Sequence, residues 1–185
     1  ENAIKPALDQ LAGYVDFNLH FIVTESGPGD FKSLHGPAEV EGNILQLCAA
    51  KLSPAKYMDF VLCQNENVKD IQNNYKACAQ KAQIDVAALE ACKGKEGKDL
   101  LSASAKVATA AKAQGSPTIK LNGADYQGGR GTNDFMRAIC TEIKGDKPEA
   151  CKKIPEPVKV AMTILNDNRC ADCVSRADRL IGRIK

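Results

Sequence analysis

The chain has 185 residues, a net charge of +2 and eight cysteines. That length holds one domain, or one domain and part of another. A near-neutral charge without a basic stripe argues against nucleic acid as a partner. No run approaches the roughly 20 apolar residues needed to span a bilayer. The cysteines stand at 48, 63, 78, 92, 140, 151, 170 and 173. An even count at this density points to an oxidising, extracytoplasmic compartment (periplasmic, secreted or lumenal). Zinc is the rival reading. It usually takes paired C-x-x-C knuckles or closely spaced histidines, whereas this chain has one C-x-x-C, with His20 and His35 far from it. No cofactor or metal site is expected.

In chain order, Glu1 to Ala12 reads as an amphipathic helix with Ile4, Leu8 and Leu11 on one face, stopped by Gly13. Pro6 is tolerable only in its first turn. Val15 to Thr24 alternates as a strand does, with Val15, Phe17, Leu19 and Phe21 on the apolar side. His20 falls on the other face, where a paired structural role is expected. Residues 25–33 form a Gly/Pro-containing loop.

From Pro37 to Lys93 the pattern is helical. A first helix runs to about Leu52 with Val40, Ile44, Leu47 and Cys48 inward. Ser53-Pro54 starts a second helix bearing Tyr57, Met58, Val61 and Leu62. A third covers about Ile71 to Ala82, and Asp85 caps a fourth ending near Cys92. Gly94 and Gly97 are expected to separate these from a helix over Asp99 to Gln114. Cys63 and Cys78 flank a helix–helix turn. Four cysteines in the insert allow three pairings; we pair Cys63 with Cys78 and Cys48 with Cys92. Cys140 and Cys151 can close a short loop after the last helix.

Gly115-Ser-Pro-Thr-Ile-Lys-Leu-Asn-Gly123 then gives Ser-Pro, a short alternating run and Asn-Gly, a strong hairpin signal. A second strand fits Ala124 to Gly129, and Asn133 to Lys144 is the following helix. The order helix, X-Pro, strand, turn, strand, helix resembles the C-terminal half of a thioredoxin-like fold, in which the proline, here Pro117, is usually cis and faces redox cysteines. Gly128-Gly129-Arg130-Gly131 lacks the Lys-Ser/Thr of a phosphate loop and reads as a turn. Residues 154–157 (Ile-Pro-Glu-Pro) are a stiff linker. Val158 to Leu165 reads as a strand, followed by Cys170-Ala-Asp-Cys173 and a helical pattern to Lys185.

Residues 33–48 resemble the signature of the GILT family, the lysosomal thiol reductases, C-Q-H-G-x-x-E-C-x-x-N-x-x-x-x-C. His35, Gly36, Glu39, Asn43 and Cys48 fall at matching positions, while Ser33, Leu34 and Val40 depart from it. The departures remove two cysteines together. The similarity continues through Ser116-Pro117, Asn122-Gly123 and Cys140 to Cys151. The helical insert also resembles the DsbA-like branch of the thioredoxin superfamily.

The resemblance implies an α/β, thioredoxin-like domain over 1–153 with a helical insert over 37–93. The linker 154–157 and a strand–C-x-x-C–helix segment over 158–185, the opening of a second thioredoxin-like unit, follow. The family places a strand and C-x-x-C ahead of the first helix, and here residue 1 already lies in that helix. The expectation is a fragment or processed chain; the alternative is that Val158 to Leu165 folds back into the first unit. A protein partner supplying the strand is a further possibility.

The implied activity is thiol–disulfide exchange on protein or small thiol and disulfide substrates. Cys170 would attack and Cys173 resolve, opposite Pro117, with the other six cysteines structural. The alternative is a non-catalytic, disulfide-stapled module that binds a partner.

Overall fold

The computed structural model describes residues 1–157. The expectations for residues 158–185, among them Cys170 and Cys173, lie outside the described residues. Eight helices and two small hairpins follow one another: α1 (Lys5–Gln10), β1 (Thr24–Gly27), β2 (Asp30–Lys32), α2 (Pro37–Leu52), α3 (Tyr57–Asn65), α4 (Tyr75–Lys81), α5 (Val86–Lys95), α6 (Gly97–Ala110), β3 (Lys120–Leu121), β4 (Ala124–Asp125), α7 (Thr132–Glu142) and α8 (Glu149–Lys152). The chain is therefore a mixed α/β protein. Among the described residues the strands form two separate antiparallel pairs, β1–β2 and β3–β4, not a larger sheet.

Local chemistry explains the element boundaries. Pro6 sits in the first turn of α1 and Pro37 in that of α2, where the missing N–H would lack a helical partner in any case. Asp85 caps α5 by accepting the Ala88 N–H at 2.8 Å. The β3–β4 turn has Asn122 at φ 49° and Gly123 at φ 83°, the two left-handed central residues of the tight hairpin turn that Asn-Gly favours. The third helix of the insert starts later than its sequence pattern, at Tyr75. Ahead of it the chain is held as turns by side chains: Gln64 Nε2 donates to the Ile71 carbonyl at 3.0 Å, and Asn74 Nδ2 donates to the Gln64 carbonyl at 3.1 Å. Asn and Gln side chains here compete with the helical ladder for backbone partners.

Two further expectations are corrected. Gly94 does not separate the helices: it lies inside α5, and the break falls at Glu96. Gly97 is the buried first residue of α6, and a Cβ there would stand 2.4 Å from Ile44 Cγ2 of α2. The glycine marks a close helix–helix approach. The expected strand over Val15 to Thr24 is assigned only from Thr24 onward. Its alternation is nonetheless physical: Val15, Phe17, Leu19 and Phe21 are half-buried while Asp16, Asn18 and His20 are exposed. Among the described residues no strand ladder pairs residues 15–23. Among the described residues, the backbone of 15–23 is bonded by two side chains. Tyr57 Oη donates to the Phe17 carbonyl at 2.9 Å, and the Phe21 N–H donates to Ser104 Oγ at 2.8 Å.

Two apolar clusters form the interior. The larger joins α2, α3, α4 and α5 through Leu45, Phe60, Val61, Ala79 and Leu89, with Phe17 and Leu19 packed against it. The smaller joins α1 to α7 through Ala7, Leu11, Phe135, Met136 and Ile139, with Val15, Ile119, Leu121 and Ile154 against it. The extended segment 15–23 thus runs from one cluster to the other.

Candidate functional site

The loop leading into α2 carries the densest local chemistry. Gly36 holds φ 93°, a left-handed region that glycine enters without steric cost. Ser33 Oγ donates to the Gly36 carbonyl at 2.8 Å. Glu39, one turn into α2, reaches back: Oε2 accepts the His35 N–H at 3.2 Å and Oε1 lies 3.0 Å from His35 Nδ1. Burial alone would raise the Glu39 pKa; the hydrogen bonds from the His35 ring and amide outweigh it and hold the carboxyl below its ordinary 4.5. An acidic side chain in the first turn also suits the positive end of the helix. Further along α2, Asn43 is buried and Cys48 is fully buried. The signature residues therefore bind one another or the core. Ser33 and Val40, which stand where the signature has cysteines, have roles of their own. The serine hydroxyl closes the turn and the valine is half-buried. Leu34 beside them is 86% exposed.

The second region is the Ser-Pro segment. The Ser116–Pro117 peptide bond is cis, and both residues are exposed. Thr118 Oγ1 donates to the Gly115 carbonyl at 2.7 Å. Ile119 and Leu121 turn into the smaller cluster, and the Tyr126 N–H donates to the Ile119 carbonyl at 3.0 Å, extending the hairpin by one bond. Asn122 Nδ2 ties the turn to Glu142 Oε2 of α7 at 3.0 Å. The glycine-rich turn that follows is filled by a carboxylate: Asp134 Oδ2 accepts the Gly131 N–H at 3.1 Å, and a Cβ on Gly129 would stand 2.3 Å from that same oxygen. A negative charge already occupies the place an anion would take.

Six cysteines are joined in pairs. Cys48–Cys92 links α2 to α5 with Cα atoms 5.8 Å apart, Cys63–Cys78 links α3 to α4 at 5.5 Å, and Cys140–Cys151 links α7 to α8 at 5.7 Å. No cysteine among the described residues is a free thiol, and no cluster of three or more His, Cys, Asp or Glu among them could hold a metal ion. His20 is not paired as expected: its ring has no hydrogen-bond partner among the described residues, and partial burial lowers its pKa. Sequence reasoning missed Tyr57 and Ser104 as the groups holding the extended segment. A tyrosine on an apolar face reads as core, and a serine inside an alanine-rich helix reads as neutral; only the fold sets them against backbone 40 and 83 positions away.

Residues 1–82 match the family model described as gamma interferon inducible lysosomal thiol reductase (GILT). A curated relative, the gamma-interferon-inducible lysosomal thiol reductase of Carassius auratus, is 27% identical over 134 residues, covering 69% of this chain and 53% of its own length. The chain thus spans about half the length of that relative. No solved structure matches.

Proposed function

We propose, on the premise that this is a GILT-like chain, that it carries out thiol–disulfide exchange in an extracytoplasmic compartment, with Cys170 and Cys173 as the redox pair and Pro117 in the loop opposite them. The observation that carries the reading is the likeness of residues 1–82 to a thiol reductase family. Three disulfides in the frame agree with an oxidising setting. No described helix is long and apolar enough to cross a membrane.

The chemistry is a two-step exchange. The Cys170 thiolate attacks one sulfur of a substrate disulfide, forming a mixed disulfide and expelling the other sulfur as a thiolate that takes up a proton. The Cys173 thiolate then attacks Cys170 Sγ, releasing the second substrate thiol and leaving a Cys170–Cys173 disulfide, which a small thiol reduces again. A cysteine at a helix start, beside Arg169, gains thiolate character from unpaired N–H groups and positive charge. Each pKa unit of depression is worth about 1.4 kcal/mol of thiolate preference.

A second reading, a disulfide-stapled binding module without turnover, is favoured by one observation. The signature residues of this chain are engaged in holding structure: His35 with Glu39, Asn43 in the core, Cys48 with Cys92. Insulin-disulfide reduction separates the two. Exchange predicts activity in the full chain, its loss in Cys170→Ser, and trapped mixed disulfides in Cys173→Ser. An inactive full chain, or equal activity in Cys170→Ser, selects the binding module.

A further inference from the structure

We propose that Asn122 is a site of spontaneous deamidation, gated by opening of the β3–β4 hairpin, and that its product frees the hairpin from α7. The inference does not rest on the redox reading. Asn122-Gly123 is the only Asn-Gly pair in the chain, and both residues are exposed. An asparagine side chain is attacked by the backbone nitrogen of the residue that follows it. A side chain on that residue hinders the approach, and glycine has none. The space around Gly123 is open as well: an added Cβ would meet nothing within 4 Å.

The reaction balances without an enzyme, metal or oxidant. The Gly123 nitrogen gives up its proton and bonds to Asn122 Cγ. The Cγ–Nδ2 bond breaks, and Nδ2 leaves as ammonia with that proton. The succinimide ring then takes up one water. Opening at the side-chain carbonyl leaves aspartate at 122. Opening at the backbone carbonyl leaves isoaspartate, whose main chain runs through Cβ and Cγ.

Two restraints hold this off in the folded chain. Asn122 Nδ2 donates to Glu142 Oε2 at 3.0 Å, so the amide that must swing onto the Gly123 nitrogen is pinned to α7. Asn122 at φ 49° and Gly123 at φ 83° are also the central residues of the turn between Leu121 and Ala124. Closing the ring requires the peptide plane between them to rotate out of that turn. The ladder that resists is short, since β3 and β4 have two residues each. A hairpin of this kind is marginal by itself. This one is held by Ile119 and Leu121 in the smaller cluster and by Lys120 Nζ, 2.6 Å from Asp125 Oδ1. Local opening is therefore the step that admits the reaction.

The product does not restore the contact. Aspartate at 122 sets a carboxylate against that of Glu142. Both only accept hydrogen bonds, and like charges at that distance repel. Isoaspartate lengthens the main chain inside a two-residue turn whose length fixes the register. A transient opening becomes a permanent change at the smaller cluster.

The test uses the full chain with its disulfides intact, incubated at mildly alkaline pH and followed by peptide mass spectrometry. The peptide holding residue 122 is expected to gain the mass of an amide turned to an acid, with isoaspartate among the products, and to do so more slowly than in the reduced, denatured chain. Glu142→Ala is expected to speed the native reaction about 2–12-fold, the equivalent of one hydrogen bond of about 0.5–1.5 kcal/mol. Glu142→Gln, whose carbonyl still accepts, is expected to stay closer to the parent rate. Asn122→Asp is expected to speed hydrogen exchange at the Tyr126 amide by a similar factor while α2 to α5 keep their protection. An unchanged peptide in both the native chain and Glu142→Ala overturns the site. A native rate equal to the denatured rate overturns the gating, and unchanged exchange in Asn122→Asp overturns the consequence. If Glu142→Ala also unprotects α2, the native and denatured rates of the parent chain alone decide.

Discussion

Leu45 and Leu89, both fully buried, meet inside a cluster drawn from one continuous stretch, α2 to α5. Leu11 and Phe135 meet in a cluster drawn from both ends of the described chain. Two disulfides cross the first region and one lies at the far edge of the second. The first buries itself with neighbours in sequence. The second depends on contacts such as Thr132 Oγ1 to the Ala3 carbonyl at 2.8 Å, 129 positions apart, and its extended segment still lacks backbone partners among the described residues. A local cluster closes at low entropic cost, while a long-range one must repay the ordering of much more chain. The helical region is therefore expected to be the last to open.

Removing a disulfide is expected to change the relative stability of the two regions most. Cys48–Cys92 closes a separation of 44 residues, worth about 4 kcal/mol in the chain-entropy model. Cys48→Ser/Cys92→Ser is expected to lose about that much in denaturant unfolding and to make α2 and α5 open first. Cys140→Ser/Cys151→Ser, with a separation of 11, is expected to cost about 3 kcal/mol and to leave α2–α5 protected. Equal loss of protection in both regions from either variant would remove the distinction.

Next in size is Gly97→Ala. The added Cβ meets Ile44 Cγ2, a branched methyl close to the backbone of α2. Alanine gains about 1 kcal/mol of helix propensity, but overpacking at a rigid contact costs about 1–3 kcal/mol. A net fall in stability is expected, read as a lower denaturant midpoint. A rise in the midpoint would show that α2 and α6 have room to move apart.

The smallest effect concerns Glu39. Its folded pKa lies below the ordinary 4.5, so its contribution is fully present above that value and is lost as the pH falls through the folded one. The side chain is one-third exposed, and solvent screening keeps the contribution to about 0.5–1 kcal/mol. Glu39→Gln is expected to lose that at pH 7 and much less near pH 3. A pH-independent difference would mean the His35 loop is held by shape, not by the carboxylate charge.

Short-range chemistry was legible in the amino-acid order. Pro37 and Asp85 set helix starts, Asn122-Gly123 sets a hairpin turn, and apolar spacing places α2 and α3. It also narrowed the cysteines, because Cys63 and Cys78 flank one helix–helix turn and Cys140 and Cys151 lie within a short loop. The signature around His35 was legible as a family likeness, but not as the hydrogen-bonded loop it forms.

The remaining features depend on contacts between distant parts of the chain. Period-two alternation in 15–23 reports which side chains are buried, not whether a neighbouring strand is present to bond the backbone. Gly97 borders the helix break, as its local preference suggests, but only the packing of α6 on α2 shows that it also admits a methyl of Ile44. Tyr57 and Ser104 became tethers only once α3 and α6 were set beside the extended segment. In each case the deciding partner lies dozens of residues away, beyond the reach of any local pattern.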